Sequence, residues 1–316
     1  MKNKFHIRNR FNKVFKEIFF LFILVSLIPS CKESVVEYQA NNCKKNPAFI
    51  KKFGYNPALS YLSTSDQHIM GLVLIESSQP GKSNVAANKK MQHPSWTSAG
   101  WLAPILIAST GDIYTAPAPY VNIFNNPINN NNTIYKINSE TGIMEPYLRL
   151  PDADSINTEN PFGIIAMALL CDANVLYVST LAGSKRHNEK GHIYAIDLNS
   201  GKIIDQLNDI DAMGLAVCYT TGKRELYFGK ARAPEVNAVD IDKNGHFSGK
   251  PHAAFSVEGL GPRGDDKVRK IRLNKEGTLT LYTMEFNFNL IAPREKQENL
   301  YNIFWDEDQK KWIITK

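Results

Sequence analysis

The sequence is poor in cysteine, in long apolar runs and in surplus charge. Only Cys31, Cys43, Cys171 and Cys218 occur in 316 residues. That density excludes a small disulfide scaffold. The last three are odd in number, so at most one disulfide forms among them and one thiol is left over. The plain reading of Cys171 and Cys218 is as small buried hydrophobes. No Cys-x-x-Cys, His-Glu-x-x-His or Cys/His cluster with zinc spacing is present, which removes the common zinc sites. No Gly-x-Ser-x-Gly is present either, and Gly81-Lys82-Ser83 lacks the earlier P-loop glycine because position 76 is Glu76. The formal net charge is +6, but Lys2, Lys4, Arg8, Arg10, Lys13 and Lys16 stand against Glu17 alone in residues 1–30, leaving only +1 for the rest. So balanced a chain carries no electrostatic footprint for nucleic acid. After residue 30 no amphipathic helix longer than about three turns can be read.

The one sustained apolar run is Ile18–Ile28, eleven residues long. A membrane-spanning helix needs ~20, so the run fits the core of a signal peptide behind the basic stretch Met1–Glu17. Pro29-Ser30-Cys31 follows. This segment resembles the lipobox of bacterial lipoproteins, departing from its commonest form at Pro29. The resemblance implies cleavage before Cys31 and lipidation there. Residues 1–30 would then be the signal peptide and 31–46 the lipidated Cys and polar tether. The chain would be a cell-envelope protein on the outer membrane, with the membrane as partner through its acyl chains. The alternative is an ordinary signal peptide or an uncleaved anchor. Lys32-Glu33 resembles the export signal of surface lipoproteins in the Bacteroidetes, which leaves the periplasmic and surface sides both open.

From 47 to 316 the chain reads as short alternating or apolar runs separated by Gly, Asn, Asp and Pro, the signature of strands and turns. Tyr114, Tyr177, Tyr227 and Tyr282 recur at intervals of 63, 50 and 55 residues, each inside such a run. Tyr135-Lys-Ile-Asn138 leading to Gly142, and Tyr194-Ala-Ile-Asp197 leading to Gly201, read as third strands closed by a turn to a fourth. Four antiparallel strands at this period make a propeller blade, because one small sheet cannot bury both its faces alone. The expected fold is an all-β propeller of five or six blades over 47–316. Leu59–Ser77 would be a degenerate blade, and N-terminal strands would close the ring by joining the last blade.

Asn160-Pro-Phe-Gly-Ile and Asp211-Ala-Met-Gly-Leu, each with a later Leu-Tyr-hydrophobic run, resemble blades of NHL-type and gluconolactonase-type six-bladed propellers. The likeness covers about residues 100–316 and rests on general blade grammar. It implies that inner-strand oxygens hold a divalent cation such as calcium, which would polarise a lactone carbonyl. Asn160 and Asp211 match best and Asp265 (or its neighbour Asp266) more weakly, with Glu76 the candidate for the first-blade ligand. The other reading is that these residues cap strands and turns through their own backbone.

Other candidates come from the residues alone. His93 precedes Pro94, and with Trp96 it forms either a mouth-loop base and sugar platform or a packed structural pair. The inserts Ala116–Asn132 and Thr180–Gly191 both join second to third strands, so they share one end of the propeller. The first carries Tyr120 and Phe124 among asparagines, suited to stacking on a glycan or peptide. Alternation puts Glu285, Asn287 and Asn289 on one face of 284–293, where they would either line a channel or groove or form the ordinary solvent face of a half-exposed strand. Two functions are therefore expected. One is an envelope-anchored binding protein for a glycan, peptide or small molecule. The other is a divalent-metal-dependent hydrolase resembling gluconolactonase.

Overall fold

The computed structural model describes residues 45–66, 68–77, 89–118, 125–151, 155–156, 160–220, 223–274, 277–286 and 298–315. Cys31, Tyr120, Phe124, Asn287 and Asn289 lie outside them. Among the described residues no helix is long and apolar enough to cross a membrane.

The chain is a β-propeller of five blades. Blade 1 has three described strands, β1 (Ser60–Ser63), β2 (Val73–Glu76) and β3 (Lys89–Met91). The other four are four-stranded, antiparallel and built from consecutive strands. Blade 2 is β4 (Leu102–Ile107), β5 (Ile113–Pro117), β6 (Thr133–Ile137) and β7 (Met144–Arg149). Blade 3 is β8 (Ile164–Leu170), β9 (Val175–Thr180), β10 (His192–Asp197) and β11 (Lys202–Asn208). Blade 4 is β12 (Ala212–Thr220), β13 (Lys223–Lys230), β14 (Glu235–Ile241) and β15 (Phe247–Ser256). Blade 5 is β16 (Lys267–Leu273), β17 (Leu279–Met284), β18 (Asn299–Asp306) and β19 (Lys311–Thr315). The first strands β4, β8, β12 and β16 lie side by side as the inner strands.

The repeat is enforced by local chemistry. Each four-stranded blade closes its third-to-fourth strand turn with an Asx side chain that accepts backbone N–H groups further along the turn. Asn138 accepts from Glu140 and Thr141, Asp197 from Asn199 and Ser200, Asp242 from Asn244 and His246, and Asp306 from Asp308 and Gln309. Each turn then ends on a left-handed residue: Gly142, Gly201, Gly245 and, in blade 5, Lys310 at φ 50°. Every inner strand of these blades also carries a β-bulge near its start. The glycine of the Asx-x-x-Gly pattern is there for close approach. A Cβ on Gly163 would sit 1.9 Å from the Asn131 carbonyl oxygen of blade 2.

Blades pack through successive apolar layers, and the repeating tyrosines project forward into them. Tyr114, Tyr177 and Tyr227 are 0–2% exposed, each packed between its own blade and the next. Tyr177 donates from its hydroxyl to the Gly245 carbonyl of blade 4 at 2.8 Å. Trp312 of blade 5 donates from Nε1 to the Tyr227 hydroxyl at 3.3 Å. Tyr282 differs. It is only half-buried, with Leu300 59% and Phe304 38% exposed beside it on β18. Helix α1 (Ala48–Lys52) inserts Phe49 and Ile50 between blades 1 and 2 and bonds the Asn138–Gly142 turn through Phe49 N–H to the Ser139 carbonyl.

Three expectations need correction. The described N-terminal strands do not enter the last blade, since β16–β19 complete it from consecutive chain. The degenerate first blade extends beyond Ser77 to include β3. Cys171 is half-buried and disulfide-bonded rather than a buried hydrophobe, with its partner outside the described residues. Cys218 is the buried free thiol, and burial together with Glu225 pushes it far above the ordinary thiol range.

Candidate functional site

The residue just before an inner strand, or a few positions ahead of it, is an Asx in blades 3, 4 and 5: Asn160, Asp211 and Asp266. All three are buried, and all three tie the inner strand to the far end of the second strand or to the insert beyond it. Asn160 accepts from Phe162 N–H and donates to the Leu181 and Ser184 carbonyls. Asp266 accepts from Asn299 Nδ2 at 2.7 Å and Thr283 Oγ1 at 3.3 Å. Asp265 is exposed and pairs with Lys267 instead. Blade 2 repeats the device with Asn126, which accepts from Trp101 N–H and donates to the Trp101 and Ala118 carbonyls.

Asp211 makes the densest version. Its side chain is 0% exposed. Oδ1 accepts from Ser184 Oγ and from Gly191 N–H at 2.9 Å. Oδ2 accepts from Arg232 Nε at 2.7 Å and lies 2.6 Å from Arg232 Nη2. The guanidinium continues outward and donates to the carbonyls of Arg186, Lys185 and Asn188 at 2.7, 2.6 and 2.9 Å. Glu189 accepts the Asp211 N–H at 2.7 Å. Burial pushes the Asp211 carboxyl above the usual carboxylate range and Glu189 adds to this, while Ser184 and Arg232 pull it down. One buried ion pair thus clamps residues 181–191 in a fixed shape. Lys185 and Asn188 close the tip as a tight hairpin through N–H to carbonyl bonds of 2.8 and 3.1 Å.

These donors do not fit a divalent cation. Both Asp211 oxygens are occupied by cationic or N–H and O–H donors. Asn160 turns its amide N–H groups onto two carbonyls, and Asp265 points to Lys267 rather than to either partner. Among the described residues no group of three or more His, Cys, Asp and Glu could hold a metal ion. Glu76 accepts Asn56 N–H in blade 1.

The remaining candidates separate. His93 caps the 3₁₀ turn Pro94–Thr97, accepting from Ser95 N–H at 3.2 Å with Ser95 Oγ 2.8 Å away, and it stacks on Phe53. Trp96 is fully buried and donates to the Gly142 carbonyl at 2.7 Å. This pair is the packed structural one. Glu285 is ion-paired to Arg263, and the next residue, Phe286, meets Phe162 edge-on at 5.5 Å, so the end of β17 reaches the start of β8. Three asparagines of the first insert are structural too. Asn126, Asn131 and Asn132 are 3, 2 and 0% exposed, and Thr180 donates to Asn132 Oδ1 at 2.6 Å.

Sequence reasoning missed Arg232, Ser184 and the buried asparagines. Their types carry no periodic signal, and the only hint for Arg232 is an arginine between two alanines.

No family model matches the chain, and no curated protein matches it. Solved structures similar to it include a nidogen/laminin complex, at 10% identity over 77% of this chain and 88% of that one, with a TM-score of 0.43. An endo-arabinase from Bacteroides thetaiotaomicron matches at 13% identity over 67% and 78%, with a TM-score of 0.40. A Bacteroides ovatus xyloglucan-locus protein, GH43B, matches at 12% identity over 60% and 36%, with a TM-score of 0.34.

Proposed function

We propose that this chain is a binding protein of the cell envelope, held to the outer membrane by acyl chains on Cys31, whose ligand meets the insert-bearing end of the propeller. The observation behind this reading is the clamp on 181–191. A buried ion pair is a weak source of net stability but is costly to break, and this one spans from the start of the inner strand of blade 4 to the carbonyls of a solvent-facing hairpin. A preordered loop loses less freedom on binding, which is the usual advantage of a rigid scaffold under a recognition loop.

The gluconolactonase-like alternative needs Asn160, Asp211 and Asp265 as cation ligands, and their hydrogen bonds leave it without a donor set. Screening the purified protein against a broad glycan and peptide array tests the binding reading; failure to bind any member would reject it. Thermal unfolding in EDTA, then with calcium, magnesium or manganese, tests the alternative. A site specific to the native state adds about 2.7 kcal/mol at a hundredfold excess of ion over Kd. The expected result is no rise in Tm. A rise abolished by Asp211→Asn would restore the hydrolase reading.

A further inference from the structure

The hairpin tip carries Lys185, Arg186, His187 and Asn188, all exposed. Many described surface cations elsewhere are paired, Lys52 with Glu140, Lys90 with Asp66, Lys136 with Asp112, Lys190 with Asp209, Arg263 with Glu285 and Arg269 with Glu298, while Lys51, Lys202, Lys243, Lys250 and Lys311 stand singly on other parts of the surface. Among the described residues no acidic group pairs with Lys185, Arg186 or His187. The backbone beneath them is also fixed. Its carbonyls at 185, 186 and 188 point inward to Arg232, so the side chains have only the outward direction left. Arg232 is offset by the buried Asp211 and by Glu189 at 4.0 Å, so Lys185 and Arg186 leave the tip with a net charge of about +1, carried on its outermost side chains.

Building on the binding function above, we infer that this hairpin is an anion-recognition knuckle, and that its ligand is a polysaccharide carrying repeated carboxylate or sulfate groups. A guanidinium and an ammonium on adjacent residues suit the planar or trigonal oxygens of such groups, the arginine in bidentate fashion. Two or three charges are too few to hold a bilayer, where each basic residue near an anionic surface contributes only a small increment. The tip also carries no large apolar side chain to insert; among the described residues the exposed ones are Tyr61, Ile143, Leu300 and Phe304. A polymer with an anion on many units compensates for a small footprint by rebinding along its length.

The test is retention of the full purified protein on immobilised dextran sulfate and polygalacturonate, with neutral dextran and phosphatidylglycerol vesicles as controls, at low and high salt. The expected result is salt-sensitive binding to one or both anionic polymers, none to neutral dextran, and a loss of roughly tenfold or more in affinity for Lys185→Glu/Arg186→Glu. Both positions are exposed, so Tm should not move. Wild-type binding by the double variant overturns the inference, as does binding to vesicles but to neither polymer. Array binding only to neutral glycans or peptides would overturn it while leaving the binding function standing. No ligand on the array and none on the polymers would remove both.

Discussion

Asp112 shows how one carboxylate is tuned by competing effects. Desolvation disfavours its charge, but Lys136 Nζ at 2.8 Å and Ser139 N–H at 2.9 Å outweigh that, and its carboxyl lies below the ordinary value. Its folded pKa is therefore lower than its unfolded one, near 3.9. The stabilisation is present above that pH and is lost as pH falls through the folded value. Chemical denaturation from about pH 5 downward should show a falling stability whose slope is reduced in Asp112→Asn. Lys310 offers a second test. It occupies a left-handed position at φ 50° where the other blades place glycine. Its ion pair with Glu307 is exposed and worth little. Lys310→Gly should therefore raise stability by about 0.5–1 kcal/mol in urea titration. Unchanged or lower stability would mean that the turn tolerates the side chain without strain.

The clamp on 181–191 is the feature to test at the level of the element. Removing the carboxylate strands a guanidinium that is mostly sheltered from solvent. Asp211→Ala should cost about 3–5 kcal/mol, with Arg232→Ala costing less because its loss leaves a carboxylate that can protonate. The same variant should expose the peptide bonds after Lys185 and Arg186 to trypsin far faster than in the wild type, as read by the time course of a single early cut. Equal cleavage rates would show that the hairpin needs no clamp. Strand and turn positions in this region are legible in the sequence because they follow period-2 alternation and Asx-to-Gly spacing, as Tyr194-Ala-Ile-Asp197 to Gly201 illustrates. The role of Asp211 was legible only as a choice between ligand and cap. What decides it is a long-range partner, Arg232, and a salt bridge between separate loops leaves no local trace. The Asn-rich insert misled for a related reason. Asparagine reads as polar and exposed, yet Asn126, Asn131 and Asn132 are buried because their amides replace the backbone partners that irregular chain lacks.

Across the whole molecule the repeating tyrosines rank the blades. Tyr114, Tyr177 and Tyr227 are covered by the following blade, whereas Tyr282, Leu300 and Phe304 on the forward face of blade 5 are half-buried or exposed. In a stack of repeats, stability is the sum of each unit and its neighbour interfaces, so a unit with a less covered face opens at lower cost. Native-state hydrogen exchange should find the amides of β18 less protected than those of β10 and β14. Comparable protection in all three would refute this ranking. Tyr177→Phe, which removes the hydroxyl bond to Gly245 between blades 3 and 4, should cost about 1 kcal/mol.

The consecutive-strand construction of blades 2 to 5 has a bearing on how the chain is made. A propeller whose last sheet waits for a strand from the opposite terminus cannot finish that sheet until the two ends meet. Here each four-stranded sheet holds all its partners within one short stretch of chain. Sheet formation can keep pace with delivery, each unit completing against the one already in place as the polypeptide emerges. That ordering limits how long any unpaired strand edge stays available to a wrong neighbour.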